Sequence, residues 1–290
     1  MAIMRVSSVP RIHRPSRTEF HEQYVLPQRP VILTGVLDDW PCSGRWSPEY
    51  FASTFGDHRV KVEIQESQEP ITYFAKRKYL DTALATFVSM LDIESPIHYL
   101  SQWPILRDVS LLAREVGSLE SFQVLPSYVP RALQHRLRLQ PNFWFGPAGA
   151  FSTLHFDNAD NLFAQVYGRK RFVLFAPDQR SYLYYPWTET QLIHFSPVDI
   201  ANPDLKRFPL FAQAQAMDCT LSPGDLLFLP AKWWHYVYAC TTSISLSHWW
   251  YSRPISWQRL RDEPIRLRSV YHLYIRPRLR RARKMPRSAV

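Results

Sequence analysis

Two histidines and an aspartate carry the most chemical weight in this chain. His155 and Asp157 stand in the run Leu154-His155-Phe156-Asp157, and His235 closes the run Trp233-Trp234-His235. Two imidazoles and one carboxylate on one face of an iron(II) ion leave the remaining positions open for a cosubstrate and oxygen, which is oxygenase chemistry. The same donors also take manganese, cobalt, nickel or zinc, so iron is chosen by the chemistry rather than by affinity. His-x-Asp alone is weak evidence: with ten histidines and an acidic residue at about one position in eight, about one such pair arises by chance. Its setting adds weight. Residues i and i+2 of a strand share a side, so His155 and Asp157 reach one ion while Phe156 packs behind them. Ser222 to Pro230 reads as a turn, a buried strand and another turn. A returning strand beside the first would bring His235 to the same ion. The remaining histidines, His194 and His248 among them, read as packed residues.

Further segments follow in order: Asn142-Phe143-Trp144-Phe145-Gly146-Pro147, Ser152-Thr153-Leu154-His155, Asn161, Gln165, Gly168-Arg169-Lys170, and Pro223-Gly224-Asp225 leading to His235. With the earlier run from Arg29-Pro30-Val31-Ile32 to Asp38-Asp39-Trp40-Pro41, they resemble the Jumonji C family over residues 29–252, with gaps. The likeness is to its cupin-like small hydroxylases, the asparaginyl hydroxylase acting on hypoxia-inducible factor among them. The resemblance implies a mainly β fold, a double-stranded β-helix or jelly roll with flanking α-helices. It also implies iron(II), 2-oxoglutarate and O2, with hydroxylation of a side chain of a protein or peptide, peptide natural products included, and release of succinate and CO2.

That chemistry sets requirements which named residues match by resemblance. 2-Oxoglutarate chelates metal through its 2-oxo acid end, and its distal carboxylate then needs a cation and hydroxyl donors. Lys170, fifteen positions after His155, matches the family's cosubstrate lysine. Tyr99, in His98-Tyr99-Leu100-Ser101-Gln102, resembles the tyrosine that reaches the same carboxylate. Ser152 or Thr153 supplies a hydroxyl; the family's position three before the first histidine favours Ser152, and opposite strand parity lets only one of the two face the pocket. Asn161 matches an asparagine near the cosubstrate, and Ser247 falls where some relatives carry a polar residue. Phe143, Phe145, Phe163, Trp234 and Trp249 suit an apolar lining, and equally a core.

The alternatives are the same chemistry on transfer RNA or a small molecule, and a non-enzymatic cupin binding module. Tyr182-Leu183-Tyr184 and the stretch from Asn202-Pro203-Asp204-Leu205 to Phe211 are similar to segments of the family's transfer-RNA base hydroxylase. Lysine demethylation fits less well, because many demethylases carry His-x-Glu in place of His-x-Asp. The intact triad and Lys170 argue against a dead site.

At 290 residues and 46% hydrophobic content, the chain can bury one substantial core. The expected division is a catalytic domain over 1–252, its metal-binding part at 141–252, and a basic C-terminal extension over 253–290. That extension carries eleven Arg and one Lys against Asp262 and Glu263, which equals the chain's whole net charge of +10. Residues 1–252 are therefore formally neutral. Apolar residues from Trp257 to Tyr274 make its first part helical in expectation, although Pro264 and Pro277 interrupt a single helix. Sequence-independent electrostatics make RNA, an acidic peptide or an anionic surface candidate partners for it. By resemblance it is also a candidate homodimer contact. Three dispersed cysteines, Cys42, Cys219 and Cys240, form no Cys-x-x-Cys pair. No apolar run has the length of a membrane span, and Met1 to Val6 lacks a secretory signal's apolar stretch. The expected location is cytoplasmic.

Among the elements, Val31–Thr34, Val60–Ile64 and Ile97–Leu100 read as strands. Ser47-Pro48-Glu49 opens a helix, and Asp81 is expected to cap another over Thr82–Leu91. Strand patterning is densest over 141–252, with Gly146, Gly149, Gly168 and Gly224 at turns.

Overall fold

Apolar runs bounded by turn residues become strands through most of this chain. The computed structural model describes residues 5–66, 70, 77–185 and 194–252. The expectations for the basic extension, 253–290, lie outside the described residues.

The first half builds a frame. Strands β1 (Arg5–Ser8), β2 (Arg11–His13) and β3 (Val31–Thr34) enclose helix α1 (Arg17–Phe20); helix α2 (Pro48–Phe55) leads to β4 (Arg59–Gln65), and β5 (Lys78–Ala83) runs directly into α3 (Leu84–Ser89). Strand β6 (Ile97–Trp103) follows, then short helices α4 (Ile105–Asp108) and α5 (Arg131–Gln134). Helix α2 starts as its sequence requires: Ser47 Oγ accepts the Tyr50 N–H at 3.2 Å, and Pro48 occupies the first turn. Asp81 does not cap a helix. Residues Lys78 to Ala83 pair one for one with Ile64 to Arg59 of β4, and the helix begins only at Leu84. A ladder with a waiting partner strand overrides the local capping preference.

The second half is nearly all strand: β7 (Asn142–Gly146), β8 (Phe151–Phe156), β9 (Asp160–Tyr167), β10 (Lys170–Phe175), β11 (Gln215–Leu221), β12 (Leu226–Leu229), β13 (Trp234–Ala239) and β14 (Ser243–Trp250). They form two sheets, ordered β1-β11-β10-β13-β8 and β2-β3-β12-β9-β14-β7-β6-β4-β5. From β8 onward the chain crosses repeatedly from one sheet to the other, which is the double-stranded β-helix or jelly roll. The mainly β fold with flanking helices is therefore as the sequence implies. Gly168 makes one crossing between β9 and β10 at φ +66°, where an added Cβ would lie 1.9 Å from the Thr242 carbonyl oxygen.

Alternation along the strands decides what lies between the sheets. Phe163, Phe172, Leu174, Leu227, Leu229 and Val237 pack together there. Their neighbours Leu162, Ala164, Leu226, Phe228, Leu246 and Trp250 face outward into a larger cluster with Phe51 and Phe87 of α2 and α3. Phe156, Val173, Phe175, Trp234 and Tyr236 cover the outer face of the five-stranded sheet. At the inter-sheet end nearest β6 and β7 the apolar filling gives way to polar side chains.

Candidate metal centre and cosubstrate chamber

His155 and His235 face each other across an antiparallel ladder. β13 lies beside β8 with His235 directly opposite His155, and the two ring centroids are 4.1 Å apart. Asp157, just past the end of β8, places its Oδ2 3.9 Å from His235 Nε2. One ligand atom from each of the three residues lies within 4.8 Å of the others, the arrangement that one metal ion requires.

Both imidazoles are prepared for coordination through Nε2. His155 Nδ1 donates to the Thr153 carbonyl at 2.7 Å, and His235 Nδ1 to the Trp233 carbonyl at 3.1 Å. Such bonds fix the tautomer and leave the Nε2 lone pair free. Burial, with a further contribution from His235, pushes His155 down to about 4, and burial also lowers His235. Both rings are thus neutral, as metal binding needs. Trp249 Nε1 donates to Asp157 Oδ2 at 3.0 Å and orients the carboxylate.

Behind the triad lies a narrow inner chamber lined by Tyr99, Ser152, Asn161, Lys170 and Ser247, closed by Trp144 and Trp249. Every proposed cosubstrate residue except Thr153 is present. Lys170, on β10, is 1% exposed, and its Nζ donates to Tyr99 Oη at 3.3 Å. Among the described residues no carboxylate pairs with it, and burial pushes its ammonium down to about 7. Ser247 Oγ accepts from Trp144 Nε1 at 2.8 Å and Asn161 Nδ2 at 3.5 Å, so its own proton is left for an acceptor in the chamber. Asn161 Oδ1 is buried without a partner. An unpaired ammonium, hydroxyl donors and an orphaned amide oxygen are costly to bury for packing alone. They fit an anionic ligand with its own polar shell, and Asp157 is the only acid lining the chamber among the described residues.

Thr153 is the exception. It is 3% exposed, its Oγ1 has no partner, and it does not line the inner chamber, although it borders the outer cleft. Simple parity would put Thr153 on the side of His155 and Ser152 on the other. A bulge reverses this: Val237 pairs with Ser152 and His235 with His155, leaving one residue of β13 opposite two of β8. Lys170 lies on β10, with β9 of the other sheet between it and β8 in sequence, and β13 between them in space.

The chamber opens on an outer cleft of about 420 Å³ bounded by Lys61, Glu63, Tyr79, Gln102, Trp103 and His194. Sequence reasoning missed several of these. His194 was expected to be a packed residue; it lines the cleft, kept neutral by burial that pushes it down to about 4. His248 does fit that expectation, for it lies on the opposite face of β14 against Trp40, at 5.9 Å between rings. Gln102, at φ +52°, sits at the register break between Leu100 and Trp103. Nothing in single-residue patterning marks either position. Of the suggested lining aromatics, Phe163 and Trp249 reach the chamber. Phe143, Phe145 and Trp234 lie in the outer clusters instead.

The chain is similar in sequence to known proteins. A cupin-like domain family matches residues 17–256. The chain is 34% identical over 244 residues to Lysine-specific demethylase 8 of Xenopus tropicalis, covering 84% of the chain and 53%, about half, of that relative's length. It is 29% identical over 267 residues to the Bifunctional peptidase and (3S)-lysyl hydroxylase JMJD7 of Homo sapiens, covering 84% of each. Against tRNA wybutosine-synthesizing protein 5 of Homo sapiens it is 29% identical over 260 residues, covering 85% of the chain and 78% of the relative. With the three candidate ligands and the jelly roll in place, the chain belongs to the cupin-like domain family, among the Jumonji C proteins.

Proposed function

We propose that this chain hydroxylates a side chain of a protein or peptide. One observation carries the reading: a metal triad and a buried, carboxylate-free lysine share one chamber that opens on a wide cleft. Bound iron(II) and 2-oxoglutarate supply the oxidant, one oxygen atom of O2 going to the substrate C–H bond and the other to succinate, with loss of CO2. The residues of this chain do the rest. His155, Asp157 and His235 hold the metal from one side. Lys170, Tyr99, Ser152 and Ser247 receive the distal carboxylate, and Trp144 and Trp249 wall the chamber against bulk water.

The cleft supports a peptide over a polynucleotide. Its wall carries Glu63, 4% exposed, together with Lys61 and Arg77, a mixture of charges that suits a peptide with polar or charged side chains. The relatives named for lysine modification are consistent with that preference. Transfer RNA is the second reading, carried by the likeness to the wybutosine-synthesizing protein and by the excess positive charge of residues 253–290.

The test is anaerobic addition of iron(II) and 2-oxoglutarate to metal-free protein, followed by the visible absorption of the chelate. The band is expected in the wild type, absent in His155→Ala and moved to much higher 2-oxoglutarate concentration in Lys170→Ala. No band from well-folded wild type would sink the oxygenase reading. Succinate formation stimulated by peptide pools, and not by RNA pools, is the outcome expected for the substrate class; the reverse result would replace it with RNA.

A further inference from the structure

Strand β8 carries His155, ends one residue before Asp157, and is the edge strand of its sheet. Edge strands slip or re-pair more readily than central ones. Its ladder with β13 also contains the bulge at Thr153 and Leu154, which interrupts ladder bonding and needs support from elsewhere.

That support comes from the free edge. Gln65, the last residue of β4, is 3% exposed. Its Oε1 accepts the Phe151 N–H at 3.1 Å, and its Nε2 donates to the Phe151 carbonyl at 2.9 Å. A side-chain amide here supplies the reciprocal pair that a neighbouring strand's peptide groups would make. Beyond the bulge, the Phe156 N–H donates to the His194 carbonyl at 3.0 Å, and the Ser196 N–H to the Leu154 carbonyl at 2.9 Å. The irregularity is therefore pinned on both sides.

The bulge has two effects on the site. It turns Ser152 into the inner chamber while Thr153 stays out of it. It also leaves the Thr153 carbonyl for His155 Nδ1. A regular register would exchange the two hydroxyls, because a one-residue slip moves each side chain to the opposite face.

We propose that Gln65 is a positioning residue that locks β8 in its bulged register, so that Ser152 rather than Thr153 is presented to the cosubstrate. The inference rests on reading the chamber as a 2-oxoglutarate site. Gln65 touches neither metal nor cosubstrate; its Nε2 also donates to Glu63 Oε1 at 3.3 Å, and its hold on β8 is through the backbone of Phe151.

The experiment compares wild type, Gln65→Met, Ser152→Ala and the double variant, all loaded with Mn(II), by calorimetric titration with 2-oxoglutarate. Gln65→Met keeps the side-chain length and removes both bonds to Phe151, together with the one to Glu63. Each single variant is expected to weaken 2-oxoglutarate about tenfold, the scale of one lost hydrogen bond to a charged group. The double variant is expected to fall within about twofold of either single, since a hydroxyl already turned away has nothing left to lose. Amide exchange over residues 150–157 should accelerate in Gln65→Met and not in Ser152→Ala. Additive losses in the double variant, or wild-type affinity in Gln65→Met, would overturn the lock. If Gln65→Met does not fold, Gln65→Asn, whose amide is one methylene short of Phe151, takes its place in the same comparisons. Wild type that binds Mn(II) but no 2-oxoglutarate would instead sink the functional reading. The exchange measurement would still judge the lock, which unchanged protection of residues 150–157 in Gln65→Met would refute.

Discussion

Lys170 shows how one residue can serve function at the expense of stability. Its ammonium is buried beside Tyr99, among the described residues without a carboxylate, and burial alone lowers it from an ordinary 10.5 to about 7. Because the folded value lies below the unfolded one, the unfolded chain binds more protons between about pH 7 and 10.5. This group's contribution to stability therefore rises with pH across that window. Lys170→Met, which buries a similar length without charge, is expected to raise the melting temperature near pH 7 while abolishing 2-oxoglutarate binding. An unchanged or lower melting temperature would contradict the cost assigned to the buried ammonium. A carboxylate arriving in the chamber favours the charged form. Binding of 2-oxoglutarate is then expected to take up a proton above pH 7 and to weaken by up to about tenfold per pH unit. Calorimetry in two buffers of different ionisation enthalpy measures that uptake directly. His155 and Asp157 were legible at this scale because His-x-Asp is a local pattern, while His235 needed the expectation of a returning strand and the family resemblance. Glu63, Gln65, Gln102 and His194 were not legible, because each becomes informative only beside residues far away in sequence.

The strands place these residues through register and close approach. Tyr99 reaches Lys170 because β6 pairs with β7 and because Gly146 presents no side chain. A Cβ at Gly146 would lie 2.5 Å from the Tyr99 ring. Gly146→Ala is expected to displace that ring and weaken 2-oxoglutarate about five- to tenfold, the scale of one hydrogen bond, with Mn(II) affinity unchanged. Parallel titrations with the metal and the cosubstrate check it; equal losses of both would point to general disruption of the sheet. Strands Val31–Thr34, Arg59–Gln65 and Leu226–Leu229 were readable from alternation or an apolar run between turns. Asp81 misled local reading, whereas the family position that favoured Ser152 over Thr153 agrees with the chamber. At Asp81 a partner strand, absent from any short window of sequence, set the backbone.

At the scale of the whole molecule, one N-terminal ribbon closes both sheets. β1 pairs in parallel with β11 at the edge of the five-stranded sheet, and β2 pairs in parallel with β3 at the edge of the other. Arg11 clamps the ribbon to the β11–β12 turn through Asp225, with bonds of 2.8 and 2.7 Å. The arginine is half exposed, so the ion pair itself contributes little; covering two sheet edges matters more. Deleting residues 1–13 is expected to lower the melting temperature by roughly 5–10 °C, on the scaling for a domain of this size, and to promote association. Light scattering and a melting curve check this, and a monomeric variant with unchanged melting temperature would contradict it.

The sequence by itself determined the chemistry on offer: which side chains can hold a metal, which lysine can answer a carboxylate, and that strands must carry them. The donors and strands follow from residue type and short spacing, the lysine from resemblance to the Jumonji C family. Tertiary structure decided which hydroxyl enters the chamber and which distant amide holds the metal strand. Those outcomes depend on pairing between segments 80 or more residues apart, as with Gln65 and Phe151, separated by 86 positions. A bulge or a reciprocal amide pair exists only once both partners have met, so neither could be read along the chain.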